Sequence, residues 1–179
     1  GTLIQVKDTT NAGFQGITMS GHVLGGPRHG EYVHGIGAGM VRVLNPHEVI
    51  FDTDGREVRS WRGRKQIVWV DPKRLDRDWQ LDGSFYVGSG GKGGIGTRYL
   101  DFLRWMDRNI PIEPPRIGLR TSGSHLGVRG EFVIVSFGDG RHRFAALRDM
   151  GVPAIPVLVP LDQVELVKRR YGVYPSVPP

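Results

Sequence analysis

Phe132-Val133-Ile134-Val135-Ser136-Phe137-Gly138-Asp139-Gly140-Arg141-His142-Arg143-Phe144-Ala145-Ala146-Leu147-Arg148-Asp149-Met150-Gly151 is the stretch on which the fold turns. Its first four residues are an unbroken β-branched and aromatic run, the pattern of a strand buried on both faces. Asp139-Gly140 then offers a tight turn. From Arg141 to Met150 the apolar positions Phe144, Leu147 and Met150 recur at helical spacing, and Gly151 supplies the stop. Residues 131–151 therefore predict a strand, a turn and a helix whose first turn is basic.

A strand that feeds a helix through glycines leaves the first helical N–H groups unpaired and aimed outward, and the helix dipole adds a partial positive charge there. Such an end favours an anion. Gly138 and Gly140 allow left-handed backbone and close approach of a phosphate. Arg141 and Arg143 can grip phosphate oxygens in pairs, and His142 titrates near neutrality. Three basic side chains at the positive end of a helix oppose its dipole unless an anion, or Asp139, compensates. The competing reading is an ordinary Asp-Gly turn with arginines wetting a helix start.

Outward from this unit, Met40–Leu44, Glu48–Asp52, Gln66–Val70, Arg116–Arg120 and Ala154–Val159 read as strands. The last carries prolines, which predicts a sheet edge. Asp54-Gly55 between Glu48–Asp52 and Val58–Trp61 predicts a β-hairpin. Tyr99, Phe102, Leu103, Trp105 and Met106 form an apolar stripe that predicts a helix over 99–108, with Thr97 placed to cap it. Leu161–Tyr171 reads as a final helix stopped by Gly172. Strands and helices intermix without a βαβ repeat, so the expected class is α+β: a mixed sheet with flanking helices, plus a β-rich N-terminal extension. The expected division is an extension over 1–65, a main domain over 66–172 and a tail over 173–179.

The chain has 179 residues, 27 of them glycine, and no cysteine. Disulfides, thiolate metal sites and thiol chemistry are thereby excluded. No apolar stretch approaches the roughly 20 residues of a membrane helix. A formal net charge of +6 favours polyanionic partners. That charge is uneven: between Arg56 and Arg77 lie eight basic residues against three acids. Because the sequence opens on Gly1, we expect a piece of a longer chain.

Asp139-Gly140-Arg141-His142-Arg143-Phe144-Ala145-Ala146-Leu147, followed by Asp149-Met150-Gly151 and Ile155-Pro156-Val157, resembles the core motif of the ParB/sulfiredoxin superfamily. Val68-Trp69-Val70-Asp71-Pro72 through Leu75 resembles the opening strand of that family, and Ile112-Glu113-Pro114-Pro115-Arg116-Ile117 the strand before its motif. The resemblance spans about 66–160. It implies a ParB/sulfiredoxin-like sheet and phosphate chemistry with several outcomes: a nuclease, a nucleotide-dependent switch, a DNA-binding module, or a kinase that consumes ATP. Sulfiredoxin chemistry needs a cysteine where this chain has Arg141. No helix-turn-helix module follows the motif, unlike in partition proteins.

ParB-like domains also occur as toxin modules of large secreted bacterial proteins. That likeness implies an effector acting in a target cytoplasm and an immunity protein as partner. Under the nuclease reading Asp139 and His142 would be catalytic, with His142 as general acid or base. Gly138, Gly140, Arg141, Arg143, Arg98 and Lys92 would bind the phosphate of a nucleotide or nucleic acid. A nucleoside triphosphate or a divalent metal such as magnesium is the implied cofactor.

Four other features compete. Gly90-Gly91-Lys92-Gly93-Gly94-Ile95-Gly96-Thr97 is glycine-rich but lacks the G-x-x-x-x-G-K-[ST] order, since Gly93 follows Lys92; it reads as a loop that folds over a ligand. His29 and His34 flank Glu31 in metal-ligand fashion, although loop histidines are the plainer reading. Asp52, Asp54 and Glu57 read first as turn residues. Trp61, Trp69, Trp79 and Trp105 are candidates for base stacking, with core packing preferred for Trp69 and Trp105.

Overall fold

A computed structural model describes residues 32–36, 39–43, 45–106, 110–122 and 132–173. Two compact units emerge, each assembled from separated segments of chain.

The second unit, 51–86 with 113–141 and 154–179, holds a four-stranded mixed sheet in the order β3-β6-β4-β5. Its strands are β3 (Lys65–Val70), β4 (Arg116–Ser122), β5 (Phe132–Asp139) and β6 (Ile155–Pro160). β3 pairs antiparallel with β6 along its whole length, β4 pairs antiparallel with β5, and β4 meets β6 in parallel at Arg116 and Leu158. The class is α+β, as expected.

Helix α1 (Arg56–Ser60) precedes β3, and α2 (Pro72–Trp79) follows it. Asp71 starts α2 by accepting from the Lys73 and Arg74 amides, and Pro72 sits where a missing N–H costs nothing. α2 packs on β5, and α5 (Val164–Tyr171) packs on β3. Trp79, fully buried, meets Phe137 at 4.5 Å and Tyr86 at 4.9 Å between ring centres. It is core, not a stacking platform.

The first unit contains the antiparallel pair β1 (Tyr32–Ile36) and β2 (Gly39–Val43), helix α3 (Arg98–Met106), and helix α4 (Arg141–Met150) from His142 onward. α3 buries Tyr99, Leu100, Phe102, Leu103 and Met106. α4 buries Phe144, Ala145, Ala146, Leu147 and Met150, so truncating Leu147 would cost about 2–5 kcal/mol. Gly151, at φ 82°, closes α4, and its amide returns to the Arg148 carbonyl. Of the expected N-terminal extension, residues 1–31 lie outside the described residues, His29 and Glu31 among them, as does the tail from 174.

Four expectations are corrected. Asp54-Gly55 forms no hairpin: Gly55 is the N-cap of α1, because the Asp52 carboxylate folds over the turn and the next residues wind helically. Glu48–Asp52 accordingly forms no strand. β5 is an edge strand with alternating burial; Val133 and Val135 are inside while Phe132 is half exposed. β6 is central and buried, despite Pro156 and Pro160. Its prolines are tolerated because its second neighbour contacts it at one register position, so few ladder donors are required on that side. No helix among the described residues is long and apolar enough to cross a membrane.

Candidate functional site

Within the first unit, the glycine loop closes on α4. The Ile95 amide donates to Nε2 of His142 at 3.0 Å, and the Gly90 amide donates to the Asp149 carboxylate at 3.0 Å. Tyr99, through its hydroxyl, donates to the same carboxylate at 2.5 Å. Asp149 also pairs with Arg148, both side chains under a tenth exposed, and Arg148 donates to the Val87 carbonyl. Burial, then the Asp149 charge, pushes the Tyr99 hydroxyl well above the ordinary tyrosine range.

His142 is 8% exposed, and the space beside its ring amounts to about 10 Å³, room for one water and not for an oxyanion. A ring nitrogen that accepts an amide N–H carries no proton there. With His142 accepting, the charge at this helix end comes from its arginines. Lys92 and Arg98 are exposed, and their side chains make no hydrogen bond or ion pair among the described residues; Arg143 is half-buried. The expected cap Thr97 directs its hydroxyl to Asp101, the fourth residue on, at 2.8 Å.

Within the second unit lie Gly138, Asp139, Gly140 and Arg141. Gly140 adopts φ 83°, as the turn requires. Gly138 does not take left-handed backbone; it belongs to β5, where Arg116 pairs with Asp139 and Ile117 with Phe137, so that Gly138 is the extra residue of a β-bulge. The bulge turns the exposed Asp139 outward at the strand end. Arg141 donates to the Phe85 carbonyl at 3.0 Å and lies over the Phe85 ring at 5.4 Å.

Beside the bulge is an open pocket of about 310 Å³, with Trp61, Lys65, Arg116, Ser136 and Gly138 in its lining. Three cations ring the Trp61 indole: Arg64 at 4.5 Å, Arg116 at 4.8 Å and Lys65 at 4.9 Å from its centre. Local chain geometry gathers two of them. Trp61 ends α1, Gly63 turns the backbone at φ 81°, and the Arg64 and Lys65 amides fold back on the Trp61 carbonyl. Glu57 accepts from the indole N–H at 3.1 Å and stands 3.6 Å from Nε of Arg116. Of the three cations, Glu57 thus pairs with Arg116. Nothing in the open space at Gly138 comes nearer than 3.9 Å to where a Cβ would sit.

Sequence reasoning named Gly138 and suggested Trp61, but it did not single out Arg116, which lines the same pocket. Arg116 reaches Trp61 across 55 positions of chain, and no local pattern encodes that. Trp69 packs edge-on against Phe51, Trp105 stacks near Phe102, and Glu113 is exposed. Among the described residues no group of three or more His, Asp or Glu side chains could hold a metal, Asp52, Asp54 and Glu57 included. Asp54 instead pairs with Arg62 at 3.0 Å. A magnesium ion at Asp139 would take most of its oxygen ligands from water and from the phosphates of a substrate.

No family model matches the chain, and no curated protein matches it. Among solved structures, the crystal structure of an Oncogenic Suppression Activity Protein, described as a plasmid fertility inhibition factor, is similar at 15% identity with a TM-score of 0.44, over 83% of this chain and 73% of that one.

Proposed function

We propose that this chain is a ParB-like domain that binds the phosphates of a nucleotide or nucleic acid and cleaves phosphodiester bonds, with the phosphate seated in the pocket beside the Gly138 bulge. The observation that carries the reading is that Lys65 and Arg116, both held against the Trp61 ring, line a pocket together with the glycine of the sequence motif, while Arg64 lies over the same ring. Cations held on an aromatic face have already lost much of their conformational freedom, which favours binding an anion among them. Asp139, exposed at the strand end, is the group placed to orient an attacking oxygen or, together with substrate phosphates, a magnesium ion.

A second reading, a nucleotide-binding switch without chemistry, is favoured by His142. Its Nε2 is engaged by the Ile95 amide, which removes the motif's general base while the loop is closed. The resemblance to secreted effector modules, with an immunity protein as partner, accompanies the nuclease reading.

The test is incubation of the chain with plasmid, single-stranded DNA, total RNA and the four nucleoside triphosphates, with and without magnesium. Lys65→Ala and Arg116→Ala should each weaken binding about tenfold. Asp139→Ala should stop cleavage while binding persists. Binding with no product in any mixture selects the switch; binding unchanged in both cation variants rejects the pocket.

A further inference from the structure

A second cationic pocket lies in the same unit, between α2 and α5. It measures about 350 Å³ and is lined by Arg74, Arg77, Asp78, Arg170 and Tyr171. It shares no residue with the pocket beside Gly138. Protein contacts fix two of its arginines. Arg74 donates to Asp71 and to the Gly172 carbonyl at 2.8 Å, and Arg170 donates to Asp78 at 2.8 Å and to the Tyr171 hydroxyl at 3.3 Å. These bonds hold the guanidinium planes and leave other donors of each fork unused. Arg77 is exposed, and its side chain makes no hydrogen bond or ion pair among the described residues.

Helix ends explain part of this charge. Arg77 and Arg170 sit in the last turns of α2 and α5, where the dipole welcomes cations, and Arg74 caps a terminal carbonyl. That accounts for each arginine singly, but not for three guanidiniums lining one recess, two of them paired with Asp71 and Asp78 and Arg77 left in excess. Across α2 and α5 the basic side chains are Lys73, Arg74, Arg77, Lys168, Arg169 and Arg170, against Asp76, Asp78 and Glu165.

Placement decides what the recess fits. Lys65 opens β3 and lines the first pocket; β3 then runs six residues to Val70, and Asp71, partner of Arg74, follows directly. At about 3.3 Å per strand residue the two pockets stand roughly 20 Å apart, at opposite ends of one strand. Along the axis of a duplex the phosphates of one strand rise about 3.4 Å each, so a span of roughly 20 Å measured on that axis covers about six phosphates. A single nucleotide cannot reach from one to the other; a polynucleotide can.

Resting on the phosphate-binding reading above, we infer that the α2–α5 pocket is a second phosphate contact, and that the substrate class is a polynucleotide strand rather than a free nucleotide. Arg77 supplies the exposed grip, beside Arg74 and Arg170 held in place. A flat membrane surface would be met by dispersed lysines with apolar neighbours, whereas this is a recess of oriented guanidiniums.

Binding of a 20-nucleotide DNA, of ATP and CTP, and of phosphatidylserine vesicles should be measured across a salt series for the chain, Arg77→Ala, Arg77→Lys and Lys65→Ala. Arg77→Ala should weaken the oligonucleotide several-fold and lower its salt slope by about one. It should leave mononucleotide binding unchanged, and Arg77→Lys should restore most of the loss. Lys65→Ala should weaken both ligands. Oligonucleotide binding insensitive to Arg77→Ala overturns the inference, as does an Arg77 effect confined to vesicles. A chain that binds neither oligonucleotide nor mononucleotide instead fails the underlying reading.

Discussion

The Ile95 amide and His142 Nε2 are 3.0 Å apart, joining a glycine loop to the first turn of the helix it covers. The bond places a motif histidine in a structural role.

Gly94 makes that approach possible. A Cβ there would stand 3.0 Å from the His142 ring and 3.1 Å from the Gly91 carbonyl, with backbone on one side. Gly94→Ala should lift the loop at a cost of about 1–3 kcal/mol. Hydrogen exchange at the Ile95 amide should accelerate and protease should cut within 90–96. An unchanged exchange rate would show that the loop does not rest on His142.

Asp149 is the second anchor, 8% exposed and bonded to Arg148, Tyr99 and the Gly90 amide. Asp149→Ala strands the Arg148 charge and the Gly90 donor, so unfolding free energy should fall by about 3–5 kcal/mol in chemical denaturation. A loss under 1 kcal/mol would mean that water replaces the carboxylate at no cost.

Alkaline pH should act through two tyrosines. Burial, reinforced by Asp149, raises the Tyr99 hydroxyl above 10.0; burial, reinforced by the Asp78 hydrogen bond, raises Tyr171 as well. The folded state holds these protons after the unfolded chain has released them, so the stabilisation is complete below pH 10.0 and is lost progressively above it. Denaturation midpoints should fall above that pH, and Tyr99→Phe should make the fall shallower. Ultraviolet titration that ionises every tyrosine near 10 in the folded chain would contradict this.

Trp61 carries no charge, yet Trp61→Ala should weaken nucleic-acid binding by about tenfold, because each of the three cations loses a contact of about 0.5–1 kcal/mol that holds it in place. Filter binding checks this at matched salt. Unchanged affinity would leave the cations self-sufficient.

Periodic and punctuated elements were readable from residue order alone: β3, β4, α3, α4 and α5 fall within a few positions of expectation. The misreadings share a cause. Asp54-Gly55 makes a turn in either a hairpin or a helix start, and the choice fell to Asp52 and Glu57, whose partners are set by folding. α2 went unread although Asp71-Pro72 with Leu75 and Trp79 at i, i+4 announces it. The position of β6 within the sheet depends on β3, 90 positions earlier, through a pairing no local pattern encodes. The site followed the same division. Gly138 and Gly140 could be picked out locally, whereas Arg116 and the Asp149 anchor exist only through long-range approach.

The late strand at the centre of the sheet has a consequence for biogenesis. On the ribosome β3 emerges some ninety residues before the neighbour it needs, and β4 can pair only with β5 until Ile155–Pro160 arrives. Throughout that interval an apolar strand margin is bare, the condition under which nascent chains adhere to one another. Yield in the cell should therefore respond to holdase chaperones and slower translation more than to added stability elsewhere.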